Sequence, residues 1–241
     1  NAYRLIRGWE VSADIQQSEH SKLAAEWFDN KLSQTIETID EHFSKFRLSD
    51  ALMTLYKFFW DDFCAWYLEV IKPEYGKPID KVTYDTTIVF FEKLLRLLHP
   101  IMPFITEELW QNIEERKDGE TIMLQPQPKA APYSVETIHA FEQGVGAIAS
   151  VRNIRQSKGL SPKEALTLQI KGAFPEKIVS VVKRMANLSE VSLVSEIDNS
   201  VNGAAFMVDT IEFFVPLTGM VNVEEEIAKM EAEIAHLTKF L

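Results

Sequence analysis

The segment Leu94 to Trp110, LLRLLHPIMPFITEELW, places two prolines inside an apolar run and constrains the fold more than any other part of the chain. Pro100 disfavours helical geometry at His99, which predicts that one helix stops there. Pro103 and the acidic residues after it are typical of the first turn of a second helix. The alternative is simply a buried bend in an all-helical core. We expect both flanks to be covered, because the segment has too many apolar residues for a surface: Leu94, Leu95, Leu97, Leu98, Ile101, Met102, Phe104, Ile105, Leu109 and Trp110.

Three sequence blocks carry a resemblance to a known family. HPIMPFITEELW lies between FFWDDFCAWYLEVIKP upstream and VRNIRQSKGLSP downstream. In this order they resemble the part of class I valyl-tRNA synthetases that follows the catalytic core. Isoleucyl and leucyl enzymes share a looser version, while ITEELWQ and VRNIR favour valine. The resemblance implies an anticodon stem and loop binding portion, with tRNA(Val) and the remainder of the synthetase chain as partners.

The motifs that bind ATP in this class do not occur in the sequence. Class I synthetases use a His-x-Gly-His motif and a Lys-Met-Ser-Lys-Ser loop, and neither is found here. Metal-binding patterns such as Cys-x-x-Cys or His-Glu-x-x-His are also missing from the sequence. The resemblance therefore implies that ATP and Mg are used by a catalytic core outside this chain. We expect no catalytic, cofactor or metal residue here, and no adenylation of valine by the chain alone.

Apolar residues recur at helical spacing through most of the chain up to residue 160. This pattern predicts a mainly α fold with a helical bundle over residues 1–160, and the resemblance implies that the bundle is of the anticodon-binding type. A segment at 116–133, with Gly119 and three prolines, is predicted to cross the bundle as an irregular strap. The helices are predicted at about 22–44, 49–71, 81–98, 103–115 and 134–159.

After Pro162 the apolar period changes from helical spacing to alternation, which predicts a small α/β domain over residues 161–218. Residues 219–241 then show apolar residues at steps of three and four. They are predicted to begin a C-terminal heptad helix, the base of the coiled-coil arm that the family carries. A single amphipathic helix packed on its own domain is the alternative. Asn1 to Arg7 is expected to continue from an upstream segment, and the chain to be truncated within the arm.

The net charge of −11 argues mildly against nucleic acid as a partner, since affinity for phosphates comes from Lys and Arg. Residues 134–160 are the exception, with three basic and two acidic side chains. Arg152, Arg155 and Lys158 follow one another at steps of three on a predicted helix. We interpret them as a basic stripe along a phosphate strand. A solvated helix face near a C-terminus is the alternative.

Two further clusters are candidate tRNA-binding residues. Lys45, Phe46 and Arg47 lie at a predicted turn between helices, where an aromatic ring between two cations can stack on an unpaired base. Phe46 is alternatively a plug of that hinge. Arg4 and Arg7 form the third cluster, and the family resemblance adds weight to Arg4.

Other observations limit the class of protein. The sequence has no apolar run long enough for a membrane span, so we expect a cytoplasmic location, and we expect a monomer. The single cysteine, Cys64, is interpreted as a small buried hydrophobe. A helical scaffold for protein partners remains an alternative function. The salt dependence of binding distinguishes tRNA binding from a scaffold function, because binding through phosphate contacts weakens steeply as the salt concentration rises, whereas association through apolar surface does not.

Overall fold

The computed structural model describes residues 1–197 and 201–217. Its contacts divide the chain into two compact units, Asn1–Phe141 and Glu142–Leu241, which we call the helical unit and the sheet unit. This division falls inside a helix, whereas the sequence predicted a change at residue 161, so the domain bounds stay a prediction. The predicted heptad helix at 219–241 lies outside the described residues.

Helices make up most of the helical unit, and their caps are visible in the sequence. Ser18 and Asp80 accept hydrogen bonds from the backbone N–H groups of Ser21 and Thr83, at 3.3 and 2.8 Å. The prediction of a mainly helical fold is confirmed. The elements are α1 (Ala2–Arg7), β1 (Val11–Ser12), α2 (Glu19–Ser44), α3 (Leu48–Lys57), a π-helix (Phe58–Tyr67), α4 (Leu68–Ile71), β2 (Ile79–Asp80), α5 (Lys81–Leu98), α6 (Pro103–Ile113) and a 3-10 turn (Ile122–Leu124).

The core of the helical unit is aromatic and lies between α2, the π-helix and α5. Phe28 is fully buried at its centre. Its ring centroid lies 4.9 Å from that of Phe58, 4.8 Å from that of Tyr67 and 5.0 Å from that of Phe90. Such close ring pairs stabilise beyond the area they bury. Burial also raises the pKa of Tyr67 far above its ordinary value, despite a hydrogen bond with Thr87.

The helices α2 and α5 run in the same direction. Near their starts, Gln17 Nε2 donates to Thr83 Oγ1 at 3.2 Å. Near their ends, Ile39 and Leu98 share one apolar cluster with residues of α3. The α2–α3 turn and the α5–α6 corner therefore lie at the same end of the helical unit. We call residues 45–47 and 99–105 together the corner end.

The corner between α5 and α6 is covered on one flank only. Leu94, Leu98 and Trp110 are buried, as predicted. The expectation that the other flank is covered is wrong, because the described part of the chain leaves four apolar side chains there exposed. The exposed side chains of this flank are Ile101, Met102, Phe104 and Ile105, with exposed fractions of 41, 44, 90 and 51%.

The strap at 116–133 is bonded to three helices. At its start, Arg116 forms an ion pair with Glu92 on α5. On α6, Glu107 Oε2 accepts from the Thr121 hydroxyl at 2.6 Å and from the Ile122 N–H at 3.1 Å. The strap then returns to α5, where Arg96 Nη1 donates to the Pro126 carbonyl at 3.2 Å. Finally it meets α2, where the Tyr133 hydroxyl donates to Glu37 Oε2 at 2.6 Å.

The sheet unit has a four-stranded sheet in the order β4-β3-β6-β5, with β3 parallel to β4 and the other pairs antiparallel. The predicted alternation is confirmed in β3, where Leu166, Leu168 and Ile170 are fully buried. The helix of this unit ends at Met185, and Asn187 turns the chain after it with a φ of 51°. The elements are α7 (Val135–Ser157), which spans the division, β3 (Leu166–Lys171), a 3-10 turn (Glu176–Ile178), α8 (Val179–Met185), β4 (Leu188–Leu193), β5 (Gly203–Val208) and β6 (Ile211–Pro216).

Candidate nucleic-acid interface

The turn between α2 and α3 is a Schellman motif. The Phe46 N–H donates to the Phe43 carbonyl at 3.0 Å, and the Arg47 N–H donates to the His42 carbonyl at 2.9 Å. Phe46 has a φ of 57°, in the left-handed region that usually belongs to glycine at this position. A phenylalanine here carries a conformational cost of about 1 to 2 kcal/mol.

Phe46 projects from this turn with 90% of its surface exposed. The interpretation of Phe46 as a plug of the hinge is therefore wrong, because nothing in the described chain buries it. Lys45 and Arg47 flank it and are also exposed. The Lys45 ammonium forms an ion pair with Glu41, and this hydrogen bond and charge hold the pKa of Glu41 below its ordinary value. The turn thus offers an aromatic ring between two cations.

The corner between α5 and α6 adds apolar surface at the same end. Phe104 is as exposed as Phe46, and Ile101, Met102 and Ile105 are about half exposed. Sequence reasoning missed these four residues as candidates, because apolar residues are usually core. No local signal separates them from buried residues, because adjacent residues on a helix can both face a core, as Leu94 and Leu95 do.

Arg4 and Arg7 are exposed but lie at the opposite end of the helical unit. Their helix α1 contacts the end of α6, where the Tyr3 hydroxyl donates to the Asn112 carbonyl at 3.1 Å. α2 is about 39 Å long at 1.5 Å per residue. The structure therefore does not bring Arg4 and Arg7 together with Phe46.

Arg155, the central cation of the predicted basic stripe, is buried with an exposed fraction of 6%. The burial of its guanidinium lowers the pKa of Arg155, although the charge of Glu164 opposes the shift. The expectation of a continuous exposed stripe is wrong at this position, because the donors of Arg155 are directed at the protein backbone. Its guanidinium donates at 3.1, 2.6, 2.9 and 2.9 Å to the carbonyls of Ser161, Glu164, Ala186 and Asn187.

The two neighbours of Arg155 are more accessible. Arg152 is exposed, and its Nη2 donates to the Met185 carbonyl at 3.1 Å. Lys158 is half-buried and follows the last residue of α7. Their role as phosphate contacts stays a prediction.

The described residues give no sign of a metal centre or a membrane span. Within residues 1–197 and 201–217, no group of three or more His, Cys, Asp or Glu side chains could hold a metal ion. No helix in that part of the chain is long and apolar enough to cross a membrane.

Known proteins resemble this chain over its whole length. The family model described as the anticodon-binding domain of tRNA ligase matches residues 25–170. The valine–tRNA ligase of Parabacteroides distasonis is 47% identical over 241 residues, which are 100% of this chain and 27% of that protein. The corresponding ligases of Phocaeicola vulgatus and Fusobacterium nucleatum are 46% and 32% identical over 100% and 98% of this chain. The chain spans a little over a quarter of the length of these relatives, and the predicted resemblance is confirmed.

Proposed function

Because the chain belongs to the family of anticodon-binding domains of tRNA ligases, we propose that it binds the anticodon stem and loop of tRNA(Val) as part of a valine–tRNA ligase. The parent enzyme joins valine to tRNA at the expense of ATP, with Mg, in a catalytic core outside this chain. It is a cytoplasmic monomer. Residues 1–160 form its anticodon-binding helical bundle, residues 161–218 a small α/β domain, and residues 219–241 the start of a coiled-coil arm.

The observation that carries this proposal is the conformation of Phe46. Its backbone is held in a region that disfavours a side chain, yet it presents an aromatic ring that is 90% exposed. Neither feature stabilises the fold of the described chain. Strained residues persist where they serve a function. An exposed ring between Lys45 and Arg47 is suited to stack on an unpaired base while the cations meet the adjacent phosphates.

The corner end has enough exposed apolar surface to contact more than one base. Phe104, with Ile101, Met102 and Ile105, extends the apolar surface on the same end of the helical unit. Bases of an open loop have apolar faces that pack on such side chains. We therefore assign base contacts to the corner end.

Phosphate contacts are assigned to the exposed and half-buried cations. These are Arg4, Arg7, Lys45, Arg47, Arg152 and Lys158. Arg155 has a different role. Its guanidinium donates hydrogen bonds to backbone carbonyls of the sheet unit and so fixes the end of α7 that carries Arg152. Phosphate contacts position the RNA but do not select its sequence.

The test is Phe46→Ala in the full-length ligase, with Tyr75→Ala as the matched control. Tyr75 is a fully exposed aromatic at a turn near β2, away from the corner end. Loss of one stacking contact is worth about 1 to 3 kcal/mol. We expect kcat/KM for tRNA(Val) to fall by roughly 5- to 150-fold in Phe46→Ala and to stay unchanged in Tyr75→Ala. Equal values for both variants would contradict the proposal.

Salt dependence tests the phosphate contacts separately. Arg152→Ala and Lys158→Ala should each remove about one unit from the slope of log affinity against log salt. Discrimination between cognate and non-cognate tRNA should not change in either variant. A slope identical to that of the unaltered enzyme would place the phosphate contacts elsewhere.

A further inference from the structure

An exposed apolar stripe runs along α3 and into the π-helix. Four large side chains follow one another at steps of four residues. Their exposed fractions are 63, 44, 55 and 61% for Leu48, Leu52, Tyr56 and Trp60. The rings of Tyr56 and Trp60 are parallel, with centroids 6.3 Å apart and an interplanar angle of 6°. We call these four residues the Trp60 stripe.

The π-helix keeps this stripe outside the core. In an α-helix, steps of four drift by about 40° each, so a long series would turn towards the buried side. The π-helix begins at Phe58 and winds more slowly, with i to i+5 hydrogen bonds. Phe58, Phe63 and Tyr67 consequently face the core while Trp60 stays outside. π-Helical segments are rare and are found mostly at functional sites.

The charges beside the stripe disfavour a phosphate backbone as its main partner. Residues 48–62 contain three acidic side chains and one basic side chain, a net charge of −2. Asp50 and Asp61 are exposed. Repulsion from these carboxylates disfavours RNA. Exposed Tyr and Trp side chains together are typical of the centre of a protein interface.

We infer that the remaining part of the synthetase polypeptide covers the Trp60 stripe with an apolar surface whose rim is basic. The inference rests on the proposed function, since it requires this chain to be part of a valine–tRNA ligase. The chain spans 27% of its relatives, so almost three quarters of such a ligase lies beyond these residues. The remaining residues belong to the same polypeptide and are therefore always present, and they are numerous enough to form a surface that covers the stripe. The contact fixes the direction in which the corner end points away from the catalytic core.

The experiment is site-specific photo-crosslinking in the full-length ligase. A benzophenone amino acid replaces Tyr56 in one variant and Lys57 in the control. Lys57 is exposed and adjacent, but it points about 100° away around the helix. On irradiation, the probe at position 56 should join the chain to a peptide of the same polypeptide outside these 241 residues, in several-fold higher yield than the probe at 57.

Every other result overturns the inference. Crosslinks to added tRNA would make the stripe an RNA surface, and crosslinks between two polypeptides would make it a dimer contact. Crosslinks confined to these 241 residues, or yields no higher than those at position 57, would show that the remaining polypeptide does not cover it.

A second measurement uses the same enzyme. Trp60→Ala should lower its midpoint of thermal unfolding, whereas Tyr75→Ala should not, because a buried interface residue is lost only in the first. An equal midpoint in both variants would contradict the inference. The experiments distinguish the failure of one proposal from that of the other. An unchanged kcat/KM in Phe46→Ala would contradict the proposed base contacts. The crosslinks from position 56 test only whether the Trp60 stripe is covered.

Discussion

His99 and Thr106 join the two helices of the corner, with His99 Nδ1 2.8 Å from Thr106 Oγ1. The Thr106 hydroxyl donates its own proton to the Met102 carbonyl at 2.8 Å, so the His99 ring nitrogen is the donor to Thr106. Thr106 is 1% exposed. The corner is therefore held by a partly buried chain of hydrogen bonds as well as by its prolines.

Thr106→Val should destabilise the chain by about 1 to 3 kcal/mol, because it leaves the half-buried His99 ring nitrogen without its partner. Urea denaturation measures the change. The control is Thr86→Val on α5, where the hydroxyl donates to the Val82 carbonyl at 2.8 Å near the surface. A cost no larger than that of the control would show that the His99 bond contributes nothing.

Trp110→Ala should cost roughly 3 to 5 kcal/mol, the range for large core side chains. The indole is 4% exposed, and the Arg116 guanidinium carbon lies 3.9 Å from its ring centroid. The free energy of unfolding from denaturant titration gives the answer. A loss below about 1 kcal/mol would mean that the corner can repack without the indole.

Phe46→Gly should raise the free energy of unfolding by up to about 1 kcal/mol, since glycine accepts a positive φ without the steric cost. The same variant should lose affinity for tRNA(Val). Phe104→Gly is the matched control, because Phe104 is equally exposed but lies in a helix, where glycine costs about 1 kcal/mol. Changes in stability of the same sign in both variants would refute the strain at Phe46.

Arg155→Lys should destabilise the sheet unit by about 1 to 3 kcal/mol although the charge is kept. A lysine ammonium cannot reach the four carbonyls that the planar guanidinium serves. Arg152→Lys, at an exposed position, should change stability by less than about 0.5 kcal/mol. Hydrogen exchange at 161–164 and 186–187 should rise only in the first variant, and equal exchange in both would argue against the role of Arg155.

Glu107 should make the helical unit sensitive to acid. Partial burial works to raise its pKa, but hydrogen bonds from Thr121, Gln111 and the Ile122 N–H outweigh burial, so the pKa lies below the ordinary 4.5. A carboxyl with a lower pKa in the folded state stabilises it above about pH 4.5 and loses this contribution as the pH falls through the folded-state value.

The measurement for Glu107 compares free energies of unfolding with those of Glu107→Gln across pH. The difference should be constant above about pH 6 and shrink below about pH 4.5. In a Thr121→Val background the decline should be smaller, because one hydrogen bond to the carboxylate is gone. A difference that does not change with pH would contradict the assignment.

Periodicity predicted the helices well where capping and core agree. The bounds of α5 match the predicted 81–98, because Asp80 caps its start and Pro100 limits its end. The π-helix was not predictable from a helical period. Its buried rings, Phe58, Phe63 and Tyr67, follow steps of five and four residues, and a step of five does not return to the same face of an α-helix.

The candidate site was predicted only in part. Composition identifies apolar and basic residues but not their neighbours, so Phe104 was assigned to the core and Arg155 to the surface. Four backbone carbonyls accept hydrogen bonds from Arg155, and the farthest of them is 32 residues away in sequence. No local sequence pattern predicts these contacts. Phe46 was found because its two flanking cations are adjacent to it in the chain.

The strap also determines the order in which the helical unit can assemble. The N–H of Ser134, directly after the strap, donates to Asn30 Oδ1 across 104 residues, and the Tyr133 hydroxyl of the strap donates to Glu37 across 96. Contacts of such separation form slowly, since the entropy of closing the loop is lost before they stabilise anything. The partners on α2 are made early in synthesis and the strap late. A ribosome-bound chain that has not yet exposed residue 134 therefore holds α2 without these two hydrogen bonds.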